Sequence, residues 1–264
     1  MEKQNCIVHI LNIAKIRNGV YFIHTVKKKL YNLLDFTFSS QGIVILVCEI
    51  LVGIIAIAAS SLLFADIAKD TLFDKQLVSL DMAISQFFYS FRTPLLTQVM
   101  VFISFLGADF ILVISTIIVI LFSWRKHKHE SVLFSIMLIF GAILNVFLKQ
   151  VFQRPRPTID PLIDVSSYSF PSGHAMNSLV FYLTLAYFTY HFTRRIKYSF
   201  IAMCFSLVII ALIGLSRVYL GVHYPTDVAA GYVAGLLWFV LVLLMERTLR
   251  YATLYKNYRL HKRK

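Results

Sequence analysis

The chain has 264 residues, of which 58% are hydrophobic and 15% are charged, and its formal net charge is +13. So low a charged fraction excludes an ordinary soluble globular domain and favours a membrane protein. The three cysteines, Cys6, Cys48 and Cys204, form no CxxC pair, so neither a disulfide framework nor a zinc knuckle is predicted.

Six apolar stretches are each long enough to cross a hydrocarbon core of about 30 Å. These spans cover residues 41–65, 100–124, 131–150, 174–193, 198–216 and 226–245. Because they use most of the chain, we predict an all-α fold, a polytopic membrane helix bundle with six transmembrane helices over residues 41–246. An N-terminal leader, 1–40, and a basic tail, 247–264, are predicted to flank this membrane domain.

Polar and small residues within these spans predict local structure. The run 95–124 is too long for one upright span and contains Gly107 and Asp109, so its first part is expected to be a separate short helix at the interface. Glu49 lies within the first span, where we interpret it as part of a structural polar contact rather than as a catalytic group. The sequence GYVAG in the last span predicts close helix packing.

The basic residues are unevenly distributed along the chain. With a cytoplasmic N-terminus, the inner segments are 1–40, 125–129, 194–197 and the tail from Glu246, and they hold 19 of the 26 Lys and Arg residues. The positive-inside rule therefore predicts a multi-pass cell-membrane protein with both termini in the cytoplasm. Since the basic excess is mostly a topology signal, membrane lipids are predicted partners and nucleic acid is not.

Four of the seven cations predicted to face outward lie where the third to sixth spans emerge. They are Lys149, Arg154, Arg156 and Arg217, and the same side holds His174, His223 and Asp227. Lysine and arginine at span ends commonly snorkel to the interface, but snorkelling does not explain the accompanying histidines and aspartate. Like charges at one depth repel unless an anion lies among them, and phosphate suits the donor fork of arginine. The cluster therefore predicts a phosphate site facing outside.

The segment PSGH, at 171–174, opens the fourth span. A helix start presents free backbone N–H groups and the positive end of the helix dipole, which both favour an anion. Gly173 lets the backbone approach closely, and Ser172 can donate its hydroxyl hydrogen. Taken alone, the segment also fits an ordinary helix cap with His174 as an interfacial side chain. Its position beside the cations favours the phosphate site.

The stretch SRVYLGVHYPTD precedes and opens the sixth span. Pro225 fits the first helical turn, which puts His223 just before the helix and Asp227 inside that turn. Asp227 can then accept a hydrogen bond from one ring nitrogen of His223 and leave the other nitrogen bare and nucleophilic. The alternative is that Asp227 is only a first-turn carboxylate that stabilises the helix dipole.

Three motifs, taken in order, resemble the signature of the type 2 phosphatidic acid phosphatase superfamily. They are Lys149 with Arg156 and Pro157, then PSGH at 171–174, then Ser216 and Arg217 with His223 and Asp227. Every signature position is filled, and a triple motif on one membrane face is much more specific than PSGH alone. The resemblance implies a type 2 phosphatidic acid phosphatase-like bundle and does not cover the leader.

The resemblance implies a lipid phosphatase that uses fixed cations and no cofactor or metal. It makes His223 the nucleophile, Asp227 the residue that orients it, and His174 the acid that protonates the leaving lipid oxygen. The residues implied to bind phosphate are Lys149, Arg156, Ser172, Gly173 and Arg217. Arg154, in the spacer of the first motif, is interpreted as an auxiliary electrostatic residue at best. The implied reaction hydrolyses a lipid phosphate or diphosphate at the outer leaflet through a phosphohistidine, with undecaprenyl diphosphate, phosphatidylglycerophosphate and phosphatidate all open as substrates.

Other functions fit the sequence less well. His174, His223 and Asp227 are acceptable zinc ligands, but the neighbouring cations disfavour a divalent metal. A phosphate-lipid binding or carrier protein would not need two histidines with an orienting aspartate. A vanadate-dependent haloperoxidase would share the anion site, but six spans and no large soluble domain argue against it. A transporter predicts charged residues near the bilayer midplane, where Glu49 is the one candidate. The sequence leaves the oligomeric state open.

Overall fold

The computed structural model of the protein describes residues 40–125, 127–158 and 160–262. Within these ranges the chain is helical and has no strand. Eight helices follow one another there: α1 Ser40–Phe73, α2 Lys75–Tyr89, α3 Pro94–Phe105, α4 Asp109–Ser123, α5 Lys128–Phe152, α6 Gly173–Thr193, α7 Ile196–Tyr219 and α8 Pro225–Lys262. The predicted leader, except for Ser40, lies outside the described residues.

The helices account for the six predicted spans. By length and composition α1, α5, α7 and α8 can each cross a membrane, and α3 with α4 forms a bent fifth candidate. The remaining span, α6, has 21 residues, which at about 1.5 Å per residue suffice for a hydrocarbon core. It is more polar because much of its surface is buried against protein, including Ser178 and Thr184. The prediction of an all-α six-span bundle is thus confirmed in outline.

The segment between the first two predicted spans is helical. α1 continues to Phe73, and Asp74 caps α2 by accepting the backbone N–H of Gln76 at 2.7 Å. Asp81 and Ser85, one turn apart on α2, are buried, and Asp81 is only 1% exposed. A carboxylate this deeply buried requires partners. Those partners lie in the site described below.

The predicted break in the run 95–124 occurs between α3 and α4, which are bent by 46°. Thr93 caps α3, with Pro94 in its first turn, and the helix ends before Gly107. A Cβ atom on Gly107 would lie 2.6 Å from the Ile213 side chain of α7, so only glycine fits this approach. The Tyr182 hydroxyl of α6 donates to Leu106 O at 3.1 Å and fixes the turn. The separate short helix is confirmed, and its location at the interface stays a prediction.

The chain divides into two compact units, of which Ala56–Val240 is the larger. Its interior contains Phe134, Met137 and Phe188, from α5 and α6, each at most 2% exposed. In the other unit, Arg247 donates from Nε to Glu49 Oε2 at 2.9 Å and from Nη2 to Oε1 at 2.8 Å. This ion pair confirms that Glu49 makes a structural polar contact.

The small residues of GYVAG, Gly231 and Gly235, bring α8 close to α6 within the larger unit. A Cβ atom on Gly231 would lie 2.7 Å from Ser172 O, and one on Gly235 would lie 3.0 Å from Met176 O. Both contacts are with backbone, which cannot move aside as a side chain can. The predicted close packing is confirmed, and it places the beginnings of α6 and α8 next to each other.

Candidate active site

The ends of four helices meet in the larger unit and bring the three sequence motifs together. Ser172 N, at the start of α6, donates to Asp227 O in the first turn of α8 at 2.9 Å. Arg156, in the connection after α5, lies 3.2 Å from His223, which follows α7. His174 interacts electrostatically with Lys149, Arg156, Arg217 and His223. All eight predicted site residues therefore belong to one cluster: Lys149, Arg156, Ser172, Gly173, His174, Arg217, His223 and Asp227.

His223 and Asp227 are neighbours, but a third residue lies between them. His223 Nδ1 is 3.5 Å from Asp227 Oδ2, longer than a normal hydrogen bond. Ser169 Oγ donates to Asp227 Oδ2 through a short hydrogen bond and lies 3.3 Å from His223 Nδ1. The backbone N–H of Tyr224 also donates to Asp227 Oδ2, at 2.9 Å. The predicted contact between His223 and Asp227 is therefore longer than a normal hydrogen bond, and the Ser169 hydroxyl bridges the two groups.

The contacts of the two ring nitrogens favour one tautomer of His223. Arg156 Nη1 lies 3.2 Å from His223 Nε2, and a guanidinium group can only donate, which favours Nε2 as an acceptor. Ser169 and Asp227 face Nδ1 and favour the proton on that nitrogen. This leaves the Nε2 lone pair facing the cations.

His223 is also kept neutral. It lies between α7 and α8 and is 2% exposed. Burial, with the nearby charges of Arg156 and Arg217, lowers the pKa of His223 from 6.5 to about 3, against the opposing effect of Asp227. Because the pKa is lowered, the imidazole is protonated only in strong acid. An unprotonated, potentially nucleophilic nitrogen is therefore present throughout the neutral pH range.

Backbone carbonyl groups fix two of the cations. Lys149 Nζ donates to Tyr168 O at 2.5 Å, and Arg156 donates from Nε to Ser167 O and from Nη1 to Val222 O, both at 2.6 Å. These acceptors are neutral, so the positive charges of Lys149 and Arg156 are not cancelled by them. Charges that neutral groups hold in place in this way are suited to stabilise an anion without reorganisation.

The start of α6 adds neutral donors to the same place. Ser172 is its N-cap and accepts the backbone N–H of Ala175 at 3.4 Å, while its own hydroxyl hydrogen can still be donated. The first N–H groups of the helix have no intrahelical acceptor and point out of its N-terminus. A Cβ atom on Gly173 would lie 2.9 Å from Asn145 Oδ1 of α5, so a larger residue would move α6 away.

Arg217 is 3% exposed and held by a residue that no motif contains. Its Nη1 donates to Ser104 Oγ of α3 at 2.5 Å. In the described part of the chain its Nε atom is buried and has no hydrogen-bond acceptor. A buried N–H of a charged group normally has an acceptor, and a phosphate oxygen would supply one.

Sequence reasoning missed three residues that organise the site, Asp81, Ser104 and Ser169, and it named Arg154 without its partners. Arg154 donates from Nη1 to Asp227 Oδ1 at 2.6 Å and from Nη2 to Asp81 Oδ2 at 2.8 Å. It is therefore more than the auxiliary electrostatic residue that its place in the spacer indicated. The one signal in the sequence was the additional arginine, Arg154, within the spacer of the first motif, whereas the sequence around Asp81 shows no pattern that links it to the site.

Comparison with known proteins agrees with this geometry. The model of the PAP2 superfamily matches residues 130–251, which include all three motifs. Phosphatidylglycerophosphatase B of Bacillus subtilis is 41% identical over 170 residues, which are 62% of this chain and 82% of that protein. Undecaprenyl-diphosphatase of Sulfolobus acidocaldarius is 29% identical over 147 residues, or 53% of this chain and 66% of that protein.

A solved structure shows the same fold. The crystal structure of a transmembrane PAP2-type phosphatidylglycerolphosphate phosphatase from Bacillus subtilis superposes with a TM-score of 0.69 and 34% sequence identity. The match covers 73% of this chain and 96% of that one. The chain therefore belongs to the PAP2 superfamily and is a membrane lipid phosphatase, a hydrolase of phosphoric esters.

Proposed function

We propose that the protein removes the terminal phosphate of a phosphorylated lipid at the outer leaflet through a phosphohistidine intermediate, with phosphatidylglycerophosphate as its first candidate substrate. The observation that carries this proposal is the contact of 3.2 Å between Arg156 Nη1 and His223 Nε2. It puts an unprotonated imidazole nitrogen beside a guanidinium group that can bind phosphate oxygens.

In the proposed first step, His223 Nε2 attacks phosphorus in line with the leaving lipid oxygen. The P–N bond forms as the P–O bond breaks. His174, neutral in the free site, takes up the proton of a monoprotonated phosphate ester and passes it to the leaving oxygen, so the lipid departs as an alcohol. Lys149, Arg156 and Arg217 stabilise the charge on the equatorial oxygens. In the second step, neutral His174 takes a proton from water, which attacks phosphorus and releases inorganic phosphate and free His223.

The charges of the site suit a phosphate group. Four cations, Lys149, Arg154, Arg156 and Arg217, accompany two buried carboxylates, Asp81 and Asp227. With neutral histidines, the buried groups have an excess of two positive charges, and the exposed carboxylate of Asp109 offsets part of it. The remaining positive charge supports binding of a phosphate anion by fixed side chains with no metal between them and the phosphate.

The choice among lipid substrates rests on Asp109, an exposed residue at the beginning of α4. It interacts electrostatically with Lys149 and Arg217, and its Oδ1 accepts from Asn177 Nδ2, one turn beyond His174, at 2.9 Å. A carboxylate there repels a second phosphate but can accept a hydrogen bond from a hydroxyl group. Phosphatidylglycerophosphate has such a hydroxyl on its leaving glycerol, whereas the leaving group of undecaprenyl diphosphate is anionic.

We expect purified protein in detergent and EDTA to release phosphate from phosphatidylglycerophosphate roughly tenfold faster than from undecaprenyl diphosphate, the ratio that about 1.4 kcal/mol of charge repulsion produces. The measurement is kcat/KM for inorganic phosphate release across a panel that includes phosphatidate. The matched variant Asp109→Asn should narrow the ratio, since it keeps the shape and removes the charge. Binding of these lipids without turnover, or turnover only with added metal, contradicts the proposed function.

The orientation of the site is supported by the excess of basic residues in the segments at the other ends of the spans. We expect right-side-out vesicles to hydrolyse a charged, membrane-impermeant aryl phosphate without detergent. Inside-out vesicles should do so only after permeabilisation, because the site then faces the lumen. The latency of an unrelated membrane enzyme whose active site faces the cytoplasm reports the orientation of each preparation independently. The opposite latency pattern excludes an outward site.

A further inference from the structure

The carboxylate of Asp227 uses its two oxygen atoms differently. Oδ2 faces the histidine side, where Ser169 Oγ, Tyr224 N and His223 Nδ1 lie. Oδ1 faces away and accepts from Arg154 Nη1 at 2.6 Å. Asp227 is fully buried, and Arg154 is 6% exposed. Arg154 is therefore the ion-pair partner that this carboxylate has on the side opposite the nucleophile.

Arg154 is itself held on several sides. Its Nη2 donates to Asp81 Oδ2 at 2.8 Å, and its Nη1 donates also to Thr226 Oγ1 at 2.9 Å. Asp81 accepts from Thr226 N at 3.0 Å and from the Thr226 hydroxyl, which ties α2 to the first turn of α8. The guanidinium plane lies over the Tyr224 ring, 4.2 Å from its centroid. These contacts hold the Arg154 side chain in a single conformation.

We propose that Arg154, fixed by Asp81, is a positioning residue that keeps Asp227 ionised and aimed at His223 Nδ1. The two arginines of the sequence RPRP then have separate tasks. Arg156 lies at His223 Nε2, where the phosphate binds, whereas Arg154 acts on the other side of the ring through Asp227. The inference rests on the proposed role of His223 as nucleophile.

The physical reason is the cost of a buried charge. A carboxylate removed from water stays ionised only when cations or hydrogen-bond donors compensate it. A protonated or rotated Asp227 would no longer hold the proton of His223 on Nδ1, so Nε2 would spend part of its time protonated and unreactive. Asp81 has the complementary task of holding Arg154, since without Asp81 the guanidinium group could turn from Asp227 toward a bound phosphate.

Several charged or titratable groups surround Asp227 besides Arg154. Together with it they come from four elements: Asp81 of α2, Lys149 of α5, Arg154, Arg156 and Ser169 of the following connection, and His223 and Tyr224 before α8. Among them Arg154 is the cation in direct contact with the Asp227 carboxylate. Its removal should therefore have a larger effect on Asp227 than removal of a more distant cation.

The test uses the full-length protein in detergent with a soluble aryl phosphate. We expect Arg154→Met to lower kcat at least about 30-fold with less than threefold change in KM, because Arg154 does not touch the phosphate; a change of 30-fold corresponds to about 2 kcal/mol. The acid limb of kcat against pH should move to higher pH, since a buried carboxylate without its cation binds a proton more readily. Arg154→Lys, which keeps the charge, should retain the acid limb and recover part of kcat.

A double variant separates positioning from folding. Arg154→Met alone strands the buried Asp81 carboxylate and is expected to lower the melting temperature. Asp81→Asn combined with Arg154→Met removes that charge, so it should regain thermal stability but not kcat or the original acid limb. A double variant with wild-type kcat and pH profile overturns the proposal and reduces Arg154 to a structural tie.

Two further measurements complete the test. Arg92→Met removes another arginine, which pairs with Asp160 and Tyr219 O outside the site, and it should leave the acid limb in place. Trapping of the phosphoenzyme distinguishes failure of the proposed function from failure of the role proposed for Arg154. Failure of the wild-type protein to form phosphohistidine contradicts the proposed function, whereas formation at an undiminished rate in Arg154→Met contradicts only the role of Arg154.

Discussion

The His223→Gln variant is expected to lose about 10⁴-fold or more in kcat and to form no covalent phosphoenzyme, because removal of a nucleophile costs on this scale. Glutamine has a similar length and polarity, so Ser169 and Arg156 keep a partner and the fold should persist. Alkali-quenched reactions with radiolabelled substrate measure both effects, since phosphohistidine is lost in acid and survives in alkali.

A matched control is available at the other end of the bundle. His129, exposed in the first turn of α5, lies outside the site, and His129→Gln should keep wild-type turnover and labelling. Equal labelling of wild-type protein and His223→Gln would place the phosphoryl group on another residue. Full turnover in His223→Gln would refute nucleophilic catalysis by this histidine.

The presence of the three motifs on one face of the membrane was predictable from topology. Spans alternate in direction, so the C-terminal ends of the third and fifth spans lie on the same side as the N-terminal ends of the fourth and sixth. Lys149 and Arg217 lie near the ends of their helices and Ser172 and Pro225 at the beginnings of theirs, so span count puts all four on one side. The spacing of the signature residues also indicated which polar side chains at these helix ends belong to the site.

The supporting contacts were not predictable in the same way. Asp81 and Thr226 are separated by 145 residues, and Ser104 and Arg217 by 113. Nothing in an apolar helix with one aspartate or one serine indicates which distant helix end it meets. The intervening Ser169 also depends on the path of the connection after α5, where Ser169 N donates to Arg154 O at 2.8 Å. Such contacts follow from packing rather than from local pattern.

The role of His174 can be isolated by varying the leaving group, because general acid catalysis matters most when the departing oxygen is strongly basic. For a phosphorylated lipid alcohol, His174→Gln should lower kcat/KM by about 10² to 10⁴. For p-nitrophenyl phosphate, whose leaving group is a weak base that needs no proton, the loss should be less than about tenfold. His174 lies beside Arg217 and His223, so a binding role would reduce both rates equally.

The same variant should respond differently to the two kinds of lipid substrate. Cleavage of undecaprenyl diphosphate expels a lipid monophosphate, also a weak base, so the loss of kcat/KM for it should resemble that for p-nitrophenyl phosphate. Undecaprenyl diphosphate and a phosphorylated lipid alcohol are measured on one preparation of His174→Gln, with labelling of His223 followed in parallel. If the variant slows labelling only with the alcohol leaving group, the proton comes from His174 in the first step. If it slows both substrates alike, His174 binds the phosphate and the proton donor is another group.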